Sequence, residues 1–463
     1  MGRHFARVSA TLAADVDITR LVWNSGVVLS GNVPVQLILL VRSVIVARAL
    51  GLEAYGTYVL VVATVTAINE FINFRVWETT IQYVGSFIAQ NDRQRAAAAL
   101  KLCVSIDVAT GCIAYLMVLL LADVLNGLLV RAVDGPQLLS LYALGLIPTT
   151  VDPVATALLR VGNRFGRLSL ARVSSEAISL CVLVVLLIWQ KSILMVVIAS
   201  VIGNSISSLL NAGLAVREAG VMLKAGWWKT PILTSLRGDI NAIAAFTVQT
   251  YLSGSVKMLS MRGDVLLLGY LTGPTQVGIY RAAVGLGSLV PQLTDPFYTA
   301  IYPELCRFWT LLEHARFKRL LTRATIVAAA LVLPAGLGLI IVREHIVRVV
   351  YGEQFLMAAG PLAIIVFGQV GRSVVFWTRP ALLSMGIARA HTVSIAAAAV
   401  VQFGLILVLA PSVGAWGAGI AYCTMCLLAT LPLVPLVWFR LASPSFPAVN
   451  AAKDGGVSAE EAR

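Results

Sequence analysis

Gly51-Leu-Glu-Ala-Tyr-Gly56-Thr-Tyr58 recurs, 222 residues later, as Gly273-Pro-Thr-Gln-Val-Gly278-Ile-Tyr280, and both read G-x-x-x-x-G-x-Y. Each copy joins two long apolar blocks. The same offset, within two residues, superposes Ala157-Leu-Leu-Arg-Val-Gly162 on Ala381-Leu-Leu-Ser-Met-Gly386. Small-residue turns recur by chance, but two matches at nearly one offset, both at block ends, put the chain in register with itself. Outward from these turns, twelve apolar blocks of roughly 20 residues can be marked, the length that crosses a bilayer core as a helix. They divide six and six. Six helices return a chain to the side it left, so the halves are expected to be parallel repeats about an axis along the membrane normal.

Composition agrees. Of 463 residues, 59% are hydrophobic and 12% charged, against about 25% charged in ordinary soluble domains. The fold class expected is all-α, a polytopic membrane protein of twelve transmembrane helices in two sets of six. The expected boundaries are a segment 1–20, a first bundle 21–215, an interfacial linker 216–239, a second bundle 240–440 and a disordered tail 441–463. The linker carries Lys224, Trp227, Trp228 and Lys229, which suits a stretch lying on a membrane surface. No cleavable signal peptide is expected, because the first apolar block is too long for one.

The net charge of +13 would suggest nucleic acid in a soluble protein. Here the basic residues fall in short loops, where they set topology and meet anionic headgroups. With the N-terminus placed in the cytoplasm, 25 of the 35 Lys and Arg fall inside, five outside and five in or beside helices. Both termini are therefore expected to be cytoplasmic. The six cysteines lie mostly in or beside apolar blocks. Cys423 and Cys426 form C-x-x-C without a second pair, which reads as packing rather than metal or redox chemistry. No cofactor, metal or nucleic-acid partner is expected.

Ionisable groups inside apolar blocks cost about 2.5–3.5 kcal/mol each on insertion scales, so each asks for a reason. The cations are Arg42, Lys257, Arg262, Arg281 and Arg372. Their functional reading is as cations lining a substrate path. Arg42 and Arg281 have snorkelling to the outer interface as the competing reading, and Arg262 points about 140° away from Lys257 on an ideal helix. The acids in the blocks are Glu70, Asp107, Asp152, Glu176, Asp264 and Asp295. Some are expected to pair with the cations. Glu70, Asp264 and Asp295 are the candidates for proton or sodium coupling. Pro148, Pro153, Pro291 and Pro296 mark bends in two blocks.

The run Arg42-Ser-Val-Ile-Val-Ala-Arg48-Ala-Leu-Gly51 followed by Tyr55-Gly56-Thr-Tyr58 resembles the first helix and turn of the bacterial oligosaccharide flippases. Asp264-Val-Leu-Leu-Leu-Gly-Tyr-Leu-Thr-Gly273, Ile301-Tyr-Pro303-Glu-Leu and Pro411-Ser-Val-Gly414-Ala-Trp-Gly417-Ala-Gly resemble further signatures of that family. The similarity spans roughly residues 20–440. It implies a central cavity between the two six-helix bundles, alternating access, and an undecaprenyl-diphosphate-linked glycan as substrate, whose diphosphate Arg42, Lys257, Arg262, Arg281 and Arg372 would bridge. It also implies location in the bacterial inner membrane, and polysaccharide polymerase and chain-length proteins as partners. The superfamily also holds multidrug exporters and lipid II flippases, the latter usually with fourteen helices. A drug exporter should favour acids over bases in the cavity. A polymerase would need an extracytoplasmic catalytic site on a long loop, and the outer loops here are short.

Overall fold

A bilayer core offers no hydrogen bonds, so a spanning chain must satisfy its backbone internally. The computed structural model describes residues 34–74, 76–223 and 226–442, with the backbone alone at 233, 252–262 and 299, and the described residues form helices and turns without strands. The expectations for 1–33 and for the tail from 443 lie outside the described residues.

Nine helical runs among the described residues are long and apolar enough to cross a membrane: Leu52–Ile72, Arg93–Val130, Gly135–Val161, Phe165–Trp189, Ile193–Leu223, His314–Ile341, Glu353–Ser384, Ala388–Val413 and Ala415–Ala442. The first, seventh and eighth of the expected twelve blocks are not among these nine. The first block is described only as a helix over 34–50 (α1). The seventh, Ile240–Thr272, is long enough but diluted by Lys257, Arg262 and Asp264. The eighth breaks into Pro274–Gly287, Leu289–Gln292 and Asp295–Thr310 around Pro291 and Pro296, since proline removes a ladder donor and clashes with the preceding turn. Block four breaks likewise into Gly135–Leu144, Leu146–Thr149 and Asp152–Val161.

Four labels carry the rest: α2 (Leu52–Ile72), α3 (Arg93–Leu125), α4 (Phe165–Trp189) and α5 (Ile193–Leu223), with α6 (Ile240–Thr272) and α7 (Pro274–Gly287) beginning the second half. The helix α5 runs past the expected boundary at 215, because Glu218 is buried and paired with Arg164 at 2.9 Å and Arg167 at 3.6 Å. What remains of the linker holds two single turns, Trp227–Lys229 and Ile232–Ser235, with Trp228 exposed. On the same side, Asp92 caps α3, accepting from the Arg95 backbone N–H at 3.0 Å and from its guanidinium at 2.6 Å. Those hydrogen bonds hold its carboxyl below the usual range.

Left-handed backbone positions repeat as the sequence motif does. Gly51, Asn91, Arg131 and Asn163 lie at φ 79°, 60°, 52° and 55°, and Gly273, Leu312, Gly352 and Gly386 at 90°, 57°, 99° and 75°. Pairwise the offsets are 222, 221, 221 and 223 residues. Each such residue ends one helix and turns the chain into the next. Leucine is a poor choice there, since a Cβ costs roughly 1–2 kcal/mol in this region. Leu312 is 72% exposed, so Leu312→Asn loses little packing and should raise stability by up to about 1 kcal/mol, read as a higher unfolding midpoint of the purified protein.

The second glycine of each motif has a different use. A Cβ at Gly56 would stand 1.9 Å from the Pro274 carbonyl oxygen, and one at Gly278 would stand 2.6 Å from that of Leu52. The helices α2 and α7 therefore cross with their backbones in contact, each on the other's motif. Around that crossing, α6 packs on α7 and on Ala388–Val413, and also on α2. Its first turns reach the other half, where Thr247 bonds Thr79 at 2.9 Å and Phe246 packs edge-on against Tyr83.

Candidate functional site

A cavity of about 650 Å³ lies against α1, α2 and α7. Its polar wall is Arg42, Ser43, Tyr55, Tyr58, Glu70, Tyr142, Asn204 and Arg281, and the remainder is aliphatic. Residues from both halves contribute. Arg42 does not run outward along the helix: its guanidinium donates to the Ser200 hydroxyl at 2.9 Å and stands 3.9 Å from Glu176. The Tyr58 hydroxyl joins the same Ser200 at 3.0 Å, and Ser43 bonds Tyr55 at 2.9 Å. These contacts fix α1 against α4 and α5 and hold one positive charge at the wall. Arg281, on α7, is exposed to the cavity within electrostatic reach of Tyr55 and Asp264. Two guanidiniums and the Glu70 carboxylate thus face one space, suited to an anion presented in bidentate geometry.

The other candidates stand elsewhere. Asp264 is buried, accepting from the Tyr280 hydroxyl at 2.6 Å and from the Val265 backbone N–H at 2.8 Å, while Val265 rather than Asp264 meets the cavity. Arg372 is half-buried, within electrostatic reach of Asp295 and Tyr422. Asp295 is exposed at the first turn of Asp295–Thr310. The side chains of Lys257 and Arg262 lie outside those described. The C-x-x-C cysteines are free and buried.

Sequence reasoning missed a second, smaller pocket of about 220 Å³ inside the first half. Thr149, Asp152, Ser175, Glu176, Ser179, Asn204 and Ser207 line it. Asp152 accepts from Ser208 at 2.6 Å and from Asn211 at 3.1 Å. The signal was present: Ser200, Asn204, Ser207, Ser208 and Asn211 recur at helical spacing along α5, and Ser175 and Ser179 along α4. Such oxygen-bearing side chains satisfy one another inside an apolar bundle.

At the motif end, the two halves are joined through backbone acceptors. Arg48 donates to the carbonyls of Val349 and of Val350, the latter at 2.7 Å, and Arg131 donates to the Tyr270 carbonyl at 2.8 Å. Nothing in a sequence marks a carbonyl as an acceptor, so neither arginine could be assigned this contact from its position. Each contact is exposed and is worth about 1 kcal/mol or less. The Arg48→Ala/Arg131→Ala pair should lengthen the separation of spin labels at Val133 and Glu344, on opposite halves. An unchanged distance distribution would show that the helix crossing alone closes this end.

Residues 45–360 match the polysaccharide biosynthesis protein family. The chain belongs to that family. Among relatives, it is 22% identical over 345 residues to inner membrane protein YghQ of Escherichia coli K12, spanning 74% of this chain and 96% of that one. It is 24% identical over 221 residues to a protein of Haloferax volcanii described as a probable low-salt glycan biosynthesis flippase, Agl15, spanning 44% of each. Among solved structures, an inward-facing multidrug resistance MATE family transporter of the MOP superfamily superposes with a TM-score of 0.69 at 15% identity, covering 89% of this chain and 95% of that one. The lipid II flippase MurJ, in an inward closed conformation, superposes at 0.67 and 11%, covering 88% and 86%. At these identities the likeness shows the fold. This member of the polysaccharide biosynthesis family is thus a multi-pass membrane protein on a transporter fold, and its relatives and neighbours named with an activity are transporters and flippases, not enzymes.

Proposed function

We propose that the protein flips an undecaprenyl-diphosphate-linked oligosaccharide repeat unit across a bacterial inner membrane by alternating access. The observation that carries this reading is the pair Arg42 and Arg281, one from each half, on the wall of one cavity. A lipid diphosphate brings about two negative charges, and closing a low-dielectric cavity around them is favourable only where cations compensate. A polyprenyl tail stays in the bilayer, so only the polar head has to enter. Membership of a polysaccharide biosynthesis family, a glycan-biosynthesis flippase and an inner membrane protein among the relatives, and the fold shared with a lipid flippase all point the same way.

In this reading the architecture is two six-helix bundles, set from the sequence at 21–215 and 240–440 with the linker 216–239 between them, and α5 carries the first bundle on to Leu223. The recurring left-handed turns support it. Lys257, Arg262 and Arg372 serve as further cations along the path. Glu70, already in the cavity wall, is the foremost ion-coupling candidate of the three acids, ahead of Asp264 and Asp295. Polymerase and chain-length proteins would receive the glycan outside.

Two experiments test this. Reporter fusions at Arg164, Lys318 and Arg463 should read cytoplasm, and fusions at Asp134 and Glu344 periplasm. A periplasmic signal at Arg463 would mean an odd number of crossings and would break the parallel repeat. For the cargo, thermal stability of the purified protein should rise with a polyprenyl-diphosphate oligosaccharide and far less with the corresponding monophosphate. Stabilisation by a lipophilic cation instead would make it a drug exporter, and a preference for lipid II would reassign the glycan.

A further inference from the structure

Asp107 is wholly buried, at 0% exposure, and neither carboxylate oxygen has a hydrogen-bond partner among the described residues. It lies on α3 about five residues, or roughly 8 Å, inside the inner end of the apolar block that begins at Leu102. The other two buried acids are satisfied, Asp264 by Tyr280 and Glu218 by Arg164 and Arg167, and the half-buried Asp152 is held by Ser208 and Asn211. Asp107 is the exception among them.

Its surroundings explain why no partner reaches it. Cys103, one turn earlier, is the titratable group beside it and contacts the Thr80 hydroxyl. The nearby hydroxyls are spent on carbonyls. Thr80 donates to Val76 at 2.8 Å, Thr110 to Ile106 at 2.9 Å, and Thr150 to Ile147 at 2.9 Å. A Cβ on Gly111, the next turn of α3, would stand 2.0 Å from the Thr150 methyl, so the broken run around 146–152 presses directly on this stretch. Across from it, Thr80–Val84 forms a π-helical turn that also packs on α3. Charged groups on the packed elements are engaged elsewhere. Glu70 meets the cavity, Arg160 stacks over Trp77, Lys101 donates to the Thr230 carbonyl, and Arg217 is exposed. The other acids on these elements are Glu78 on Trp77–Thr79, Glu53 in the first turn of α2, Asp152 held by Ser208 and Asn211, and Glu218 held by Arg164 and Arg167.

We propose that Asp107 is a proton-binding site, un-ionised in this conformation and deprotonated when the helices around it part. A lone carboxylate shut in an apolar interior is so costly that it takes up a proton instead. Sodium is disfavoured, because a hard cation needs several oxygen ligands and the hydroxyls here are turned to their own helices. When the broken run at 146–152 moves off α3, water enters and accepts the proton. The hydroxyls of Thr80, Thr110 and Thr150 are then placed to turn from their carbonyls to the anion. Proton occupancy and helix position are therefore linked. This inference rests on the transporter reading of the fold and is independent of the cargo.

Two readouts on the purified full chain test it. In infrared spectra, an un-ionised carboxyl shows a carbonyl stretch that an ionised one lacks. Wild type at neutral pH should show a band that disappears in Asp107→Asn and survives in Asp152→Asn. If Asp107→Asn does not fold, Asp107→Glu should displace the band. An acid band indifferent to both changes at Asp107 overturns the proposal. In a background where exposed Cys181 is serine, the spin-label distance between Val133→Cys and Glu344→Cys should shift with pH, and Asp107→Asn should abolish that shift. A shift that persists in the variant, or that follows sodium at constant pH, rejects proton linkage at this residue. Failure to bind a lipid diphosphate would overturn the cargo assignment and leave both readouts standing.

Discussion

Gly56→Ala will hold the two halves apart at the motif end and should abolish the proposed translocation, although it adds one methyl group. The added Cβ would stand 1.9 Å from the Pro274 carbonyl oxygen and 3.1 Å from the Gly278 nitrogen. Both are backbone atoms, so no side chain can rotate away, and relief comes only from separating α2 from α7. Overpacking of this kind costs on the order of 1–3 kcal/mol, and more where the clash is with backbone. At 1.4 kcal/mol per factor of ten, that moves the closed state from dominant to minor. Gly278→Ala should act in the same direction less strongly, its nearest clash being 2.6 Å from the Leu52 carbonyl oxygen. Gly213→Ala is the control, because nothing stands within 4 Å of its added Cβ and alanine is the better helix former. Glycan export together with the Val133–Glu344 label distance decides the matter. Wild-type export and an unchanged distance in Gly56→Ala would show that this crossing is not the closed seal.

Arg42→Gln and Arg281→Gln should each reduce glycan export at least tenfold at unchanged protein level, with Arg42→Gln the more damaging. Charge-assisted hydrogen bonds are worth about 1.5–3 kcal/mol apiece, roughly 10- to 100-fold. Losing Arg42 also uncovers Glu176, now 3.9 Å from its guanidinium, and leaves a carboxylate on the path of the proposed anionic head. The double variant Arg42→Gln/Glu176→Gln should therefore export better than Arg42→Gln alone, a coupling that a double-mutant cycle reads directly. Arg281→Lys should be partly tolerated and not equivalent, since lysine offers a point charge where arginine offers a planar fork. Arg372→Gln should do less, because Arg372 is half-buried and near Asp295, away from the cavity wall. Full export by both Arg42→Gln and Arg281→Gln would reduce the pair to a structural role.

How much of this was legible in the sequence depends on which kind of force sets each feature. Helicity was legible because a bilayer leaves few alternatives, and the repeat was legible because Gly51 and Gly273 adopt backbone geometry that disfavours side chains. Arg42, Glu70 and Arg281 stood out because a charge in an apolar block needs a reason. The same signal raised Asp264, whose reason is the Tyr280 hydroxyl sixteen residues on. Pairing is tertiary, and no spacing rule separates a cavity acid from a packed one. Span lengths were misread where prolines cut a helix into pieces and where Glu218 carries α5 beyond its apolar block. The carbonyl latch at Arg48 leaves no trace in side-chain identity at 349 and 350. Asp107 looked like the other acids, because lack of a partner is visible only once every neighbour has been placed.

The π-helical turn at Thr80–Val84 bears on how a doubled chain drifts from its own symmetry. From Gly51 to Asn91 there are 40 residues, and from Gly273 to Leu312 there are 39. The first copy is longer by one, and it holds a π turn inside that interval. A π turn takes up one residue more than an α turn, so an insertion lodged there leaves Asn91 and all of α3 facing as they would without it. Elsewhere in a helix the same residue would rotate everything downstream by about 100° and turn the buried face of α3 outward. Deleting one residue within 80–84 is thus expected to be absorbed as an ordinary α-helix. A deletion in the middle of α2 would not be.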